Sequence, residues 1–342
     1  MLFTTERCVI RATARYLRRY FANSVDILAS NSQELSSQSN EKNLTLPRRE
    51  AQRSLKIAFL GAPNVGKSTL INQLIKRSVC PVSCKVHTTQ TKARGIYCEG
   101  DTQLIFMDTP GMVSKKECQK FKLANSFKAD PKISLCSADI VGIVQDGENI
   151  YTRHKIDLNI LELLTEDIKN RIPIILIINK VDRLKKKEIL LDFVNTLTTS
   201  KKSPDFYDVF MISALTGDGV NDLRTYLLDT AKPRAWEYEG HIYTDNTCED
   251  IIRLTVRAKL MDILPNEIPY RLQVKLEHFD PAPDDSVKAL ISVTCPNKRI
   301  AHLLTRGSNN RIGQVAVMAE EELRHAFRTS VRLKLSIQPS SK

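Results

Sequence analysis

Four stretches of the chain are almost continuously apolar and short enough to read as strands: LKIAFL at 55–60, LIFM at 104–107, IILII at 174–178 and VFMI at 209–212. Runs of this kind, without a polar residue at every second position, belong to strands buried on both faces. Each is followed at once by small and polar residues, and the first also by a helical pattern at 69–79. This predicts an α/β domain over 51–232, built on an open, mostly parallel sheet that collects polar loops at the strands' C-terminal ends. From 233 the pattern changes. A linker at 233–243 carries the only tryptophan, Trp236. Ile251, Ile252, Leu254, Val256, Leu260 and Ile263 recur at helical spacing through 248–264, and 270–279 and 287–295 alternate as strands about a Pro-Ala-Pro-Asp-Asp turn. Helices at 298–305 and 311–327 and a strand at 330–337 complete a smaller α+β domain over 233–342.

The first fifty residues belong to neither unit. Arg7, Arg11, Arg15 and Arg18 recur at helical spacing among Val9, Leu17, Tyr20 and Phe21, with Glu6 the one acid before residue 22. A basic, acid-poor, amphipathic N-terminus of this kind reads as a mitochondrial transit peptide, against the plainer reading of a basic tail. The polar tract 30–45 reads as a spacer, so 1–50 is expected to be address plus disordered linker, and the mature protein to lie in the mitochondrial matrix. No apolar run approaches the ~18 residues of a membrane span. The eight cysteines are scattered without a metal-binding set and fit reduced thiols. Net charge is +12, of which +8 lies in 51–236, so a polyanionic partner is one reading and a solvated basic surface the other.

The polar loops carry the chemistry. Gly61-Ala62-Pro63-Asn64-Val65-Gly66-Lys67-Ser68, between a strand and a helix opened by Thr69, is a GxxxxGKS phosphate loop. Its glycines let successive N–H groups curl round phosphates, the helix N-terminus adds its dipole, Lys67 suits the β/γ-phosphates, and the Ser68 hydroxyl suits Mg²⁺. Asp108-Thr109-Pro110-Gly111 follows, 41 residues after Lys67, with a carboxylate placed to hold Mg²⁺ and a glycine N–H placed to sense a γ-phosphate. Asn179-Lys180-Val181-Asp182 selects the base: the Asp182 carboxylate accepts from guanine N1–H and the N2 amine, and adenine offers neither. A buried acceptor without its donors rejects the wrong base by ~10⁴ or more. Lys180 can lay its stem along the base, Asn179 can tie this loop to the phosphate loop, and the Ala214 N–H of Ser213-Ala214 can reach guanine O6.

With these four motifs the chain resembles the translation-factor-like GTPases. GAPNVGKSTLINQL followed by PVSCKVHTTQTKARG is similar to the Era family in particular. The resemblance implies a switch loop at Thr88-Thr89, with Thr89 joining Ser68 and Asp108 at Mg²⁺, and a K⁺ ion held by Asn64. Lys67, Asn64, Thr89 and Gly111 are then the catalytic candidates. Met112 stands where many GTPases place a water-orienting Gln, so unassisted GTP turnover is expected on the order of 10⁻³ s⁻¹ or slower. TDNTCEDIIRLTVRAKL and EIPYRLQV resemble the family's C-terminal domain, and the order helix, two strands, two helices, strand is that of a type II KH domain. Its GxxG loop would fall at Arg306-Gly307-Ser308-Asn309, which retains one glycine in a different slot. Lys298, Arg299, Arg306 and Arg311, with Lys288, leave 286–319 basic and without acids. The implied partners are small-subunit ribosomal RNA and the small ribosomal subunit, met by a monomer, with the mitochondrial inner membrane as a peripheral surface. The rival is a GTPase switch whose C-terminal domain docks a protein instead of RNA.

Overall fold

The computed structural model describes residues 52–83, 85, 93–108, 135–185, 188–200, 203–265, 268–281, 286–305 and 310–339. The four apolar runs are β1 (Arg53–Leu60), β3 (Thr102–Asp108), β5 (Ile174–Asn179) and β6 (Asp208–Met211). They are joined by β2 (Ala93–Glu99) and β4 (Ile140–Asp146) in the order β2-β3-β1-β4-β5-β6. All neighbours are parallel except β2, which runs antiparallel to β3 at the edge. The expected α/β class is the observed one. Every residue of β3, β4 and β5 is buried, as a sheet covered on both faces requires. One apolar layer gathers Leu55, Ile57 and Phe59 with the helices α1 (Lys67–Ile75) and α5 (Val220–Thr230). The opposite layer gathers Leu60, Val141 and Ile143 with α4 (Ile189–Thr199) and the region of α2 (Leu158–Leu163) and α3 (Glu166–Arg171).

The helix expected at 69–79 starts and stops earlier. At its end Lys76 turns left-handed (φ 61°), and the Asn72 side chain accepts from the N–H groups of Val79 and Cys80, at 3.0 and 2.8 Å, while donating to Cys80 O. A side chain that offers the backbone new partners ends a helix where apolar spacing alone would extend it. The linker expected from 233 begins with a strand pair: β7 (Lys232–Pro233) lies antiparallel on β1, with Arg53 opposite Pro233.

The C-terminal unit follows the expected order: α6 (Cys248–Ile263), β8 (Gln273–Pro281), β9 (Val287–Cys295), α7 (Lys298–Thr305), α8 (Arg311–Phe327) and β10 (Val331–Pro339). Its sheet is β10-β9-β8, with β9 antiparallel to β8 and parallel to β10. The parallel pair needs a crossover, which α7 and α8 supply. Thr247 caps α6, accepting from the Asp250 N–H at 3.1 Å. Ile252, Val256 and Leu260 pack with Ile291, Val293, Leu304, Val315 and Leu323 in one core. The strand expected at 270–279 starts later because Ile268–Arg271 forms a 3₁₀ turn.

Candidate nucleotide site

The polar loops after β1, β5 and β6 meet at the C-terminal edge of the sheet, where Asp108 ends β3. Gly66 opens α1 at φ 97°, and a Cβ there would lie 2.3 Å from Asn179 Nδ2; a Cβ on Gly61 would lie 2.6 Å from Val144 O. Both glycines are therefore required by close approach, and Gly66 also by its left-handed backbone. Asn64 is left-handed too (φ 61°).

Asn179 joins three loops. Its Nδ2 donates to Val65 O at 2.8 Å, and its Oδ1 accepts from the Ala214 N–H at 2.9 Å. The sequence reading gave that N–H to guanine O6; here it is donated within the protein. Ser213 is buried and builds the turn, accepting through its carbonyl from Gly217 N and through its hydroxyl from Thr216 N. Lys180, left-handed at φ 64°, reaches Asp146 Oδ2 at 2.6 Å, which extends its stem along the loop. Asp182 stands exposed at the rim in a short 3₁₀ turn, Val181–Arg183, with Val181 buried beneath it.

At the phosphate end, the Lys67 ammonium donates to Gly61 O and Ala62 O at 3.0 and 2.9 Å. Burial pushes its pKa down to about 8, against the pull of Asp108 in the other direction. Ser68 Oγ donates to Asp108 Oδ2 at 2.9 Å. A hydroxyl and a carboxylate oxygen side by side are hard donors of the type Mg²⁺ prefers. No group of three or more His, Cys, Asp or Glu able to hold a metal is found among the described residues. A cavity of about 530 Å³ is lined by Asn64, Lys67, Ser68, Asn179, Asp182 and Ala214, among others. Its volume suits a small polar ligand, with cationic and N–H donors at one end and a carboxylate at the other.

The structure thus brings together Gly61, Asn64, Gly66, Lys67, Ser68, Asp108, Asn179, Lys180, Asp182, Ser213 and Ala214. Thr88, Thr89, Thr109, Pro110, Gly111 and Met112 lie outside the described residues. Three participants were missed. Asp146 holds Lys180 and follows the apolar run IVGIV after one glutamine, a weaker form of the signal that Asp108 gives directly after LIFM. Lys259 and Asp262 line the cavity from α6, and no periodicity in the sequence places one domain against another. Of the residues expected to meet RNA, Lys298 and Arg299 are exposed on the first turn of α7. Arg311 opens α8, whose cap Asn310 accepts from the Gly313 N–H. Residues 306–309 lie outside the described residues.

Comparison with known proteins agrees with this geometry. Residues 56–180 match the family model described as 50S ribosome-binding GTPase. A protein of Danio rerio named mitochondrial GTPase Era is 31% identical over 341 residues, covering 84% of this chain and 76% of its own length. GTPase Era of Mesorhizobium japonicum is 36% identical over 232 residues, covering 68% and 71%. Among solved structures, Era in complex with MgGDPNP and nucleotides 1506–1542 of 16S ribosomal RNA matches with a TM-score of 0.70 at 24% identity, over 85% of this chain and 95% of that one. That match extends through the second, KH-like unit. A phosphate loop, a guanine-type carboxylate loop and a KH-like domain in this order, with relatives of this similarity along most of their length, place the chain in the Era family of GTPases, enzymes that hydrolyse GTP.

Proposed function

We propose that this GTPase is a slow nucleotide-driven switch of the mitochondrial matrix that grips small-subunit ribosomal RNA through its C-terminal domain and assists assembly of the small ribosomal subunit. The observation that carries the reading is the likeness, along both domains, to an Era caught with a guanine nucleotide and a 16S RNA fragment. Relatives named mitochondrial, together with the Arg-rich N-terminus, support the compartment. The exposed Lys298 and Arg299 on the first turn of α7 support an anionic partner, since basic groups neutralise phosphates.

Within the site, Asp182 accepts from guanine N1–H and N2, and Lys180 lies along the base. Lys67 exchanges its two loop carbonyls for β/γ-phosphate oxygens. Ser68 and Asp108 would hold Mg²⁺, with Thr89 and the Gly111 N–H assigned to the γ-phosphate. When bound, Mg²⁺ would supply charge neutralisation at the phosphates, and Asn64 would be the residue to hold a K⁺ ion in place of a charged side chain. Catalysis of this type is positioning and electrostatic stabilisation, and Met112, at the position after Gly111, has no amide to orient water. The chain acts as a monomer; peripheral contact with the inner membrane is the secondary surface of this reading.

The test is crosslinking of the protein to RNA in mitochondria, with bound sites sequenced for wild type, Lys298→Glu and Arg306→Glu. A single peak in small-subunit ribosomal RNA, weakened by the substitutions, is the expected result. An expressed, GTP-binding protein with no RNA peak overturns it in favour of a protein-docking C-terminal domain.

A further inference from the structure

One wall of the nucleotide cavity comes from the C-terminal domain. Past the phosphate loop, the cavity is bounded by Pro81, Val82 and Ser83, and by Lys259 and Asp262 of α6. Pro81, Val82 and Ser83 belong to no helix or strand. On the upstream side they are anchored by the Asn72 bonds to Val79 and Cys80. On the downstream side they are anchored by the other domain. Ser83 Oγ donates to Asp262 Oδ1 at 2.7 Å. The Lys85 ammonium donates to the carbonyl of Leu264, the C-cap of α6, where a helix carries partial negative charge. Further back on the same tract, Arg77 Nη1 donates to Ala326 O at 3.3 Å, and Ser78 Oγ lies 2.9 Å from His325 Nδ1, both at the last turn of α8. Behind this contact Lys259 pairs with Glu322 of α8, both side chains being largely buried. The tract between the phosphate-loop helix and the switch region is therefore held by two helices of the C-terminal domain.

We infer that Asp262 is a positioning residue of the nucleotide site: through Ser83 it fixes the 81–83 wall, so that the site reaches full retention of nucleotide only when α6 is seated on it. The physical basis is preorganisation. A wall without secondary structure samples positions away from the ligand unless both of its ends are tied. Retention falls in proportion to the time spent away. The Ser83–Asp262 bond is charge-assisted and partly buried, the class of hydrogen bond with the largest effect. Losing it leaves the downstream end of the wall held only through Lys85, two residues further on, and leaves the phosphate loop and the base loop intact.

The test follows release of a fluorescent GDP analogue from the full chain by stopped flow. Asp262→Ala and Ser83→Ala are each expected to speed release by roughly three- to tenfold, in the range a single charged hydrogen bond supports. The double variant should release no faster than Ser83→Ala, which removes this bond together with the one Ser83 Oγ accepts from the Lys85 N–H at 3.1 Å. Asp262→Asn, which keeps an acceptor for the Ser83 hydroxyl, should stay near wild type. Arg253→Ala, which removes an ion pair elsewhere on α6, is the control for loosening of the helix itself. Unchanged release in Asp262→Ala, multiplied effects in the double variant, or an equal effect of Arg253→Ala would each overturn the assignment.

Discussion

In the proposed function the base preference of the whole enzyme rests on one carboxylate, Asp182, at the rim of the cavity. Asp182→Asn replaces an acceptor of two donors with a group that donates one hydrogen bond and accepts the other. Preference should move from guanosine to xanthosine nucleotides, read by competition for a fluorescent GTP analogue; retained GTP preference would remove the role. Lys67 makes a different point. Its ammonium is buried and satisfied by carbonyls of its own loop, an arrangement that costs the empty protein free energy. Lys67→Met should abolish GTP binding yet raise the stability of the nucleotide-free chain by about 1–3 kcal/mol, measured by urea unfolding. Asn64 is tested by the cation: exchanging potassium for sodium should slow hydrolysis several-fold, and equal rates would reassign the missing charge to a partner. These residues were legible because phosphate and guanine chemistry admits few side chains at fixed spacings. Asp262 was not, since its importance comes from a neighbour 179 residues away along the chain.

Among the elements, the strands buried on both faces stood out as unbroken apolar runs. β4 was equally apolar and equally central, and it went unread; within it, Gly142 lies against the ring of Phe59, where a Cβ would come within 2.7 Å. β2 was harder to see, because an edge strand with one antiparallel partner keeps Arg94 and Glu99 among its residues. In the C-terminal unit α7 and α8 fall where their periodicity places them, since each is amphipathic and flanked by turn residues. The short β7 carries no hydrophobic signal and is held by charge. Asp139 accepts from the Lys56 N–H at 3.0 Å and from both Arg234 guanidinium nitrogens at 2.9 Å, with Lys232 close by. Burial would raise its pKa, but the Arg234 hydrogen bonds and the Lys56 N–H outweigh burial and hold it below the usual carboxylate range. A depressed folded pKa stabilises the protein above the unfolded value of about 3.9 and withdraws that support as pH falls through the folded one. Asp139→Asn should therefore lower the melting temperature at pH 7 and flatten the loss of stability between about pH 5 and 3, followed by calorimetry. An unchanged acid limb would show that the clasp contributes nothing.

For the molecule as a whole, the two domains and their order were readable from the change of hydrophobic period near residue 233, whereas the seating of α6 and α8 on the tract 77–85 was not. Domain contacts rest on a handful of polar bonds whose partners carry no shared pattern. The proposed N-terminal address belongs to this scale as well, and its test is import. Deleting residues 1–45 should leave GTP binding unchanged and abolish uptake by isolated mitochondria; normal uptake would reduce those arginines to a basic tail.

The pairing of β7 with β1 has one more implication. Arg53 lies opposite Pro233, and the Arg234 N–H donates to Gln52 O at 2.9 Å, so the chain leaves the sheet domain beside the point where it entered. A fold whose ends meet is a closed loop, and its linear order along the gene is one choice among several. Ligating residue 52 to residue 234 and opening the chain in the turn between α4 and β6 would preserve the strand order β2-β3-β1-β4-β5-β6. The strands of the GTPase unit should therefore tolerate being carried as an insertion in another chain through a single narrow doorway, with the 77–85 tract then lacking its partner helices.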